Sequence, residues 1–279
     1  MRLLLKTGRF LYGFGIAAVG IHQLIIQDFR PEILPAFPAW AHQHIIFPII
    51  AALALFFAGI IISGIVQAKW INTKNVCLYL GGSLLLLLIT CQLPYILAFS
   101  PNKFTRLDVW FAAGEELTYS GGAFIIAGSF MTDYFNENKK SSLVLFLEKL
   151  IPAGGVFYSI LMILFGCSHF VFAGFVSTMV PKWMPGTALF WTYFVGVALI
   201  GASIAIIFKI WVKTIALLFA FMLFLFFLFF HIPDAVANPS QGGGNEIVRA
   251  IVALLFCGVA LVIATANSVE HRTIDVSAD

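Results

Sequence analysis

GGVFYSILMILFGCSHFVFAGFV, residues 154–176, runs for 23 residues without one Asp, Glu, Lys or Arg. As a helix rising ~1.5 Å per residue, such a run reaches across the ~30 Å hydrocarbon layer of a bilayer, for which about 20 apolar residues are needed. Upstream, RFLYGFGIAAVGIHQLIIQD at residues 9–28 has the same build. Tyr12, Gly20 and His22 are answered by Tyr158, Gly166 and His169, with a one-residue slip before the histidine. Pro31 and Pro35 are answered by Pro181 and Pro185 at the same spacing of four. The stretch therefore reads as a transmembrane helix and as one member of a duplicated pair.

Working outward, oily stretches fall at roughly 9–28, 45–67, 76–99, 107–131, 154–176, 188–208, 212–232 and 247–267. Leu93-Pro94 closes the third as Ile232-Pro233 closes the seventh, and Gly121 in the fourth matches Gly258 in the eighth. The expected fold is thus an all-α integral membrane protein with eight transmembrane helices, arranged as two four-helix repeats at 1–131 and 154–279. Four spans per half is even, so both halves start on the same side and the repeats are expected to be parallel. The prolines after Leu93 and Ile232 are expected to finish their helices. Residues 132–153 read as a cytoplasmic linker whose apolar run Leu143 to Leu147 lies against the membrane surface.

Composition agrees, with 61% hydrophobic and 10% charged residues. No segment is long enough for a soluble catalytic domain, and no dinucleotide or phosphate loop, serine triad or continuous basic nucleic-acid surface is present. The expected partner is the lipid bilayer, with no nucleic acid. With the N-terminus inside, eleven of the 16 Lys and Arg residues lie on the cytoplasmic side, against Arg30, Lys103, Arg106, Lys182 and Arg249 on the other. That bias places both termini in the cytoplasm of a cell whose plasma membrane, or bacterial inner membrane, holds the chain.

Chemistry is expected where polar groups interrupt the oil. Glu115 and Glu116 fall near the middle of the fourth stretch, where an exposed charge costs several kcal/mol, so at least one should face the interior and find a proton, a hydrogen bond or a charge partner. Tyr119, Arg249, His22 and His169 are the candidate partners. The matching second-half positions are Val252 and Ala253, so an acidic site would be asymmetric. His22 and His169 are paired, as are Gln92 and His231 just before the two prolines, and all four map to the same leaflet. Imidazole can hydrogen-bond within a bundle, ligate metal or haem, or exchange protons with a quinone headgroup. Glu115, Glu116, His22 and His169 are accordingly the candidate catalytic residues, and His22, Gln92, His169 and His231 the candidate cofactor-binding ones. No compact motif selects a metal. Cys77, Cys91, Cys167 and Cys257 form no CxxC pair and read as packed thiols.

The Gly166-Cys167-Ser168-His169-Phe170 stretch, Pro181 with Pro185, the Gly196 and Gly201 pair and the Leu- or Ile-Pro endings resemble the DoxX-like family of small four-helix membrane proteins. That resemblance implies a partner of redox systems, such as the membrane subunit of thiosulfate:quinone oxidoreductase, while the cofactor stays open, with quinone and haem as the candidates that the histidines could serve. The leading functional reading is therefore a membrane component of a redox or quinone-linked assembly with membrane redox partner proteins. A non-enzymatic membrane scaffold and a proton or small-solute transporter using Glu115 and Glu116 stand beside it.

Overall fold

The computed structural model describes residues 1–67, 70–130 and 140–275. Its α-helices are α1 (Arg2–Ile26), α2 (Ala39–His42), α3 (Ile46–Ile62), α4 (Thr73–Leu87), α5 (Phe111–Ser129), α6 (Ser142–Glu148), α7 (Gly154–Val171), α8 (Ala173–Thr178), α9 (Ala188–Ile207), α10 (Val212–Phe226), α11 (Ile232–Ala237) and α12 (Asn245–Asp275). Among the described residues, six helical segments are long and apolar enough to cross a membrane: Arg2–Ile26, Thr73–Phe99, Ser142–Val171, Ala188–Ile207, Val212–Ala237 and Gln241–Thr265.

This corrects the expectation of eight transmembrane helices in two four-helix repeats. The second expected span yields only the 17 residues of α3, because the helix stops at Ser63 and Gly64 turns the chain with φ of 78°. The fourth yields α5, whose centre carries Glu115, Glu116, Thr118, Tyr119 and Ser120, too polar for a span. Oily composition alone overcounted the spans. It could not see where a helix is cut short, or where polar side chains turn a helix into an interior element.

The prolines behave differently from expectation as well. Past Leu87 the chain continues as a π-helical turn, Leu88–Gln92, and resumes beyond Pro94 as Tyr95–Phe99, while α10 passes through the π turn Phe227–His231 into α11, which carries Pro233 in its first turn. A proline tolerated in a first helical turn has no N–H to lose there, and the widened turn before it absorbs the steric clash. The expected surface piece of the linker is α6, with Val144 and Leu147 buried and Leu143, Leu145 and Phe146 exposed. Residues 132–139 of that linker lie outside the described residues. Buried Lys74 of α4 docks α6 by donating to Glu148 at 3.0 Å, and Lys140 joins at 2.9 Å.

Helix α1 packs on α3 and α12, α12 on α10, α5 on α4 and α7, and α7 on α9. Without a hydrophobic force between helices in lipid, small residues that let backbones approach carry much of this packing. A Cβ on Gly258 would sit 2.7 Å from the Gly8 carbonyl, and one on Gly154 would sit 2.6 Å from the Gly121 carbonyl. Hydrogen bonds tie the same assembly across the middle. The Tyr12 hydroxyl donates to the Tyr119 carbonyl at 2.6 Å and the Tyr158 hydroxyl to the Phe256 carbonyl at 3.2 Å, while the Tyr119 and Phe256 rings stack at 6.2 Å. At the far end of α5, Arg9 donates to the Ser129 hydroxyl at 2.9 Å and to its carbonyl, with its guanidinium 3.5 Å from the centre of the Phe130 ring. The cation thus caps the negative end of the α5 dipole.

A substitution pair checks this packing. Gly258→Val should destabilise the protein by about 1–3 kcal/mol, since the α1–α12 approach has to open to admit the side chain. Gly201→Ala on α9, where an added Cβ meets nothing within 4 Å, should be stabilising by up to about 1 kcal/mol through helix propensity. Thermal unfolding in detergent reads both shifts, which should have opposite signs.

Candidate functional site

A cavity of ≈ 730 Å³ opens between the inner faces of α5, α7, α9, α10 and α12. Its oily side is made by Phe165 of α7, Val176, Met179 and Val180 in and after α8, Trp191, Val195 and Leu199 of α9, Leu223 and Phe226 of α10, and Phe230 of the π turn. Its polar side takes Glu115 and Tyr119 from α5, Asn245 and Arg249 from α12, and Arg30, Glu32 and Asp108 from the segments preceding α2 and α5. A concave, mostly apolar chamber with a few converging polar groups is the usual form of a small-molecule site.

The polar side is built around a buried ion pair. Arg30 and Glu32 are each 5% exposed, and Arg30 Nε donates to Glu32 Oε1. Arg30 Nη1 also donates to His22 Nδ1 at 2.6 Å. An arginine has no acceptor to offer, so Nδ1 must present its lone pair and the proton sits on Nε2, which donates to the Gly242 carbonyl at 2.9 Å. Gln23 accepts from the Arg30 backbone N–H at 3.4 Å and donates to the Pro48 carbonyl at 2.8 Å, and Gln92 donates to the Pro31 carbonyl at 2.5 Å. The stiff proline segment is therefore clamped from behind by α1 and by the π turn after α4. At the rim, Arg106 grips Asp108 through two donors, at 3.1 and 2.5 Å, and this hydrogen bonding holds the Asp108 carboxyl below the usual carboxylate range. Arg249 pairs with Glu246 at 3.1 Å.

Of the residues expected from the sequence, Glu115, His169 and His231 line the cavity, and His22, Gln92 and Glu116 do not. His22 and Gln92 hold the wall rather than face the interior, and both His22 nitrogens are already engaged. His169 spends Nδ1 on the Phe165 carbonyl at 2.7 Å, which leaves Nε2 to the cavity. Glu116 is fully buried, and neither carboxyl oxygen has a hydrogen-bond partner among the described residues. The Tyr119 hydroxyl is in the same condition, buried and unpartnered, on a ring that lines the cavity. Among the described residues, no group of three or more His, Cys, Asp or Glu side chains is placed to hold a metal ion. The four cysteines are free thiols, and Cys257 reaches the Ala220 carbonyl at 3.3 Å.

Arg30, Glu32 and Asp108 are the members that sequence reasoning missed. Arg30 and Glu32 sit in a connection, where charged residues flanking a proline read as an ordinary water-facing loop, and Asp108 sits at the very start of the fourth oily stretch, where a charge reads as the water-facing end of a helix. The one available signal was the opposite-charge spacing in Arg30-Pro31-Glu32, where the proline fixes the backbone between the two charges.

A family model described as a domain of unknown function (DUF8561) matches residues 158–269, from within α7 into α12. No curated protein and no solved structure matches the chain. The chain is thus an all-α integral membrane protein, and its matched portion supplies most of the cavity wall.

Removing one partner of a buried ion pair strands the other charge. Arg30→Met should cost about 3–5 kcal/mol, while Arg30→Met with Glu32→Met should recover most of that loss. Thermal unfolding of the parent, both single variants and the double variant gives the coupling directly.

Proposed function

We propose that the protein binds a quinone in this cavity and serves as the membrane component of a redox or quinone-linked assembly, as the likeness of its sequence to the DoxX-like group implies. The observation that carries the reading is Tyr119, which lines a chamber that is aromatic on one side and charged on the other and whose buried hydroxyl has no hydrogen-bond partner among the described residues. A buried hydroxyl left unbonded costs about 1–3 kcal/mol, a loss that a ligand carbonyl brought within hydrogen-bond reach of it would offset. Quinones fit on three counts: the ring stacks on aromatic walls, the two carbonyls accept hydrogen bonds, and the molecule dissolves in the bilayer. Arg30, Arg249, Asn245 and His169 Nε2 supply further polar contacts around the same space. Glu115, within electrostatic reach of Arg30, Glu32 and Arg249, is the proton-exchanging group beside the ring. Electrons come from partner proteins of the assembly.

Binding is read by quenching of tryptophan fluorescence in nanodiscs as a ubiquinone or menaquinone analogue is titrated, with Trp191 in the cavity wall as the nearest reporter. Tyr119→Phe keeps the ring and deletes only the hydroxyl, so it should weaken binding about five-fold, the equivalent of ~1 kcal/mol. Glu116→Gln, outside the cavity lining, should leave binding within about two-fold. Absence of saturable binding by folded protein, or equal binding by Tyr119→Phe, contradicts the reading.

Glu116 supports a second reading, transport of protons. An unpaired carboxylate has no place in an apolar interior, so this group carries a proton in the described conformation and can release it when the bundle rearranges. A pH-gradient-driven proton flux in vesicles, lost in Glu116→Gln, is the outcome that favours it, and no flux from folded protein removes it.

A further inference from the structure

The apolar half of the cavity differs from the polar half in what stands behind it. Arg30 and Glu32 are backed by α1 and the turn after α4, whereas α8 and the π turn Phe227–His231 contribute to the opposite wall. Neither of those elements contains a buried residue. Val176, Met179 and Val180 face the cavity from α8 and the turn after it, Phe226, Phe230 and, at the end of the π turn, His231 face it from the α10 side, and Met179 is itself 50% exposed. Helix α8 rests on α7 and α9. Its connection to the α10 side is bridged by Trp183 and Phe229, exposed rings meeting edge to face with centroids 5.2 Å apart. The chamber thus has a charged end clamped by buried hydrogen bonds and an apolar end closed in part by short helices and an aromatic contact.

We infer that the seam between α8 and the end of α10, bridged by the Trp183–Phe229 contact, is a lateral portal to the bilayer and a binding site for the chain of a long-tailed amphiphile, whose head lies against Glu115, Tyr119 and Arg30. Resting on the quinone reading, this specifies the ligand: an isoprenoid- or alkyl-tailed quinone taken from the membrane, not a tail-less, water-borne one. The physical reason is the distribution of polarity. A head that hydrogen-bonds at the charged end leaves its tail pointing along the apolar wall, and lipid tails are as apolar as the leucine and phenylalanine side chains they would touch. The tail therefore loses little by remaining partly in the portal, whereas routing it past the charged end would place apolar surface against buried ions and strip them of polar contacts. Trp183 and Phe229 would then bracket the chain where it passes into lipid, which makes them specificity-determining for tailed over tail-less ligands.

The test is photolabelling of the full chain in nanodiscs with two probes that carry a diazirine midway along the chain: a long-tailed quinone analogue and a long-chain alcohol without the quinone head. Labelled peptides are mapped by mass spectrometry. Both probes should label the cavity-facing residues of segments 175–183 and 226–230, and Met179→Trp, which fills the portal, should lower that labelling several-fold. Labels falling instead on the polar-side segments 28–38 or 238–249, or unchanged labelling in Met179→Trp, overturn the portal. Failure of the quinone probe to compete with a tail-less quinone, while the alcohol still labels the portal, counts against the quinone reading alone and leaves the portal standing.

Discussion

A polar group buried in a protein must find its partner there, and the Arg30–Glu32 pair is where this chain meets that demand most heavily. Two buried ions are too costly to leave alone, so the surrounding sequence spends His22, Gln23, Gln92 and the Gly242 carbonyl on the pair and on the proline segment that carries it. This ties α1, the turn after α4 and the segment before α12 into one rigid corner. The corner fixes the polar end of the cavity. The opposite end needs no such fixing, because apolar side chains against lipid cost little, and there the wall includes α8 and a π turn.

The helix packing serves the same arrangement. Glycine contacts bring α1 against α12 and α5 against α7, and the Tyr12 and Tyr158 hydroxyls lock α5 and α12 through backbone carbonyls. The two tyrosines are the pair that the sequence alignment of residues 9–28 with 154–176 brings into register, and each bonds the carbonyl of an aromatic residue on a neighbouring helix. The aromatic residues so bound, Tyr119 and Phe256, stack on each other in the cavity wall. Only one of them carries a hydroxyl, and that hydroxyl is the unpartnered one. The asymmetry between the acidic α5 and the apolar Val252 and Ala253 of α12 has the same consequence: polar chemistry is concentrated on one wall of the chamber.

Sequence patterning was sufficient for the all-helical membrane class, because twenty-residue oily runs have few other uses. It was insufficient for the number of spans, since a Gly64 stop and the polar centre of α5 are decided by backbone conformation and interior packing. Glu115, His169 and His231 were legible as site candidates from polarity within oily helices, and all three line the cavity. His22 and Gln92 carried the same signal for a different reason: they are polar because they must clamp a loop. Periodicity cannot separate a side chain that faces a chamber from one that supports its wall. Arg30 and Glu32 were hidden in a connection and Asp108 at the edge of an oily stretch, where burial depends on how the chain folds back.

Whether the cavity is a quinone site is tested most directly by native mass spectrometry of the full-length protein released from its own membranes in nanodiscs. The account predicts one tailed quinone bound per chain in the parent protein, and loss of that mass in a Tyr119→Trp variant that fills the chamber but remains folded. Retention of the same mass by the filled variant, or a folded parent that carries only phospholipid when released from quinone-containing membranes, would contradict it.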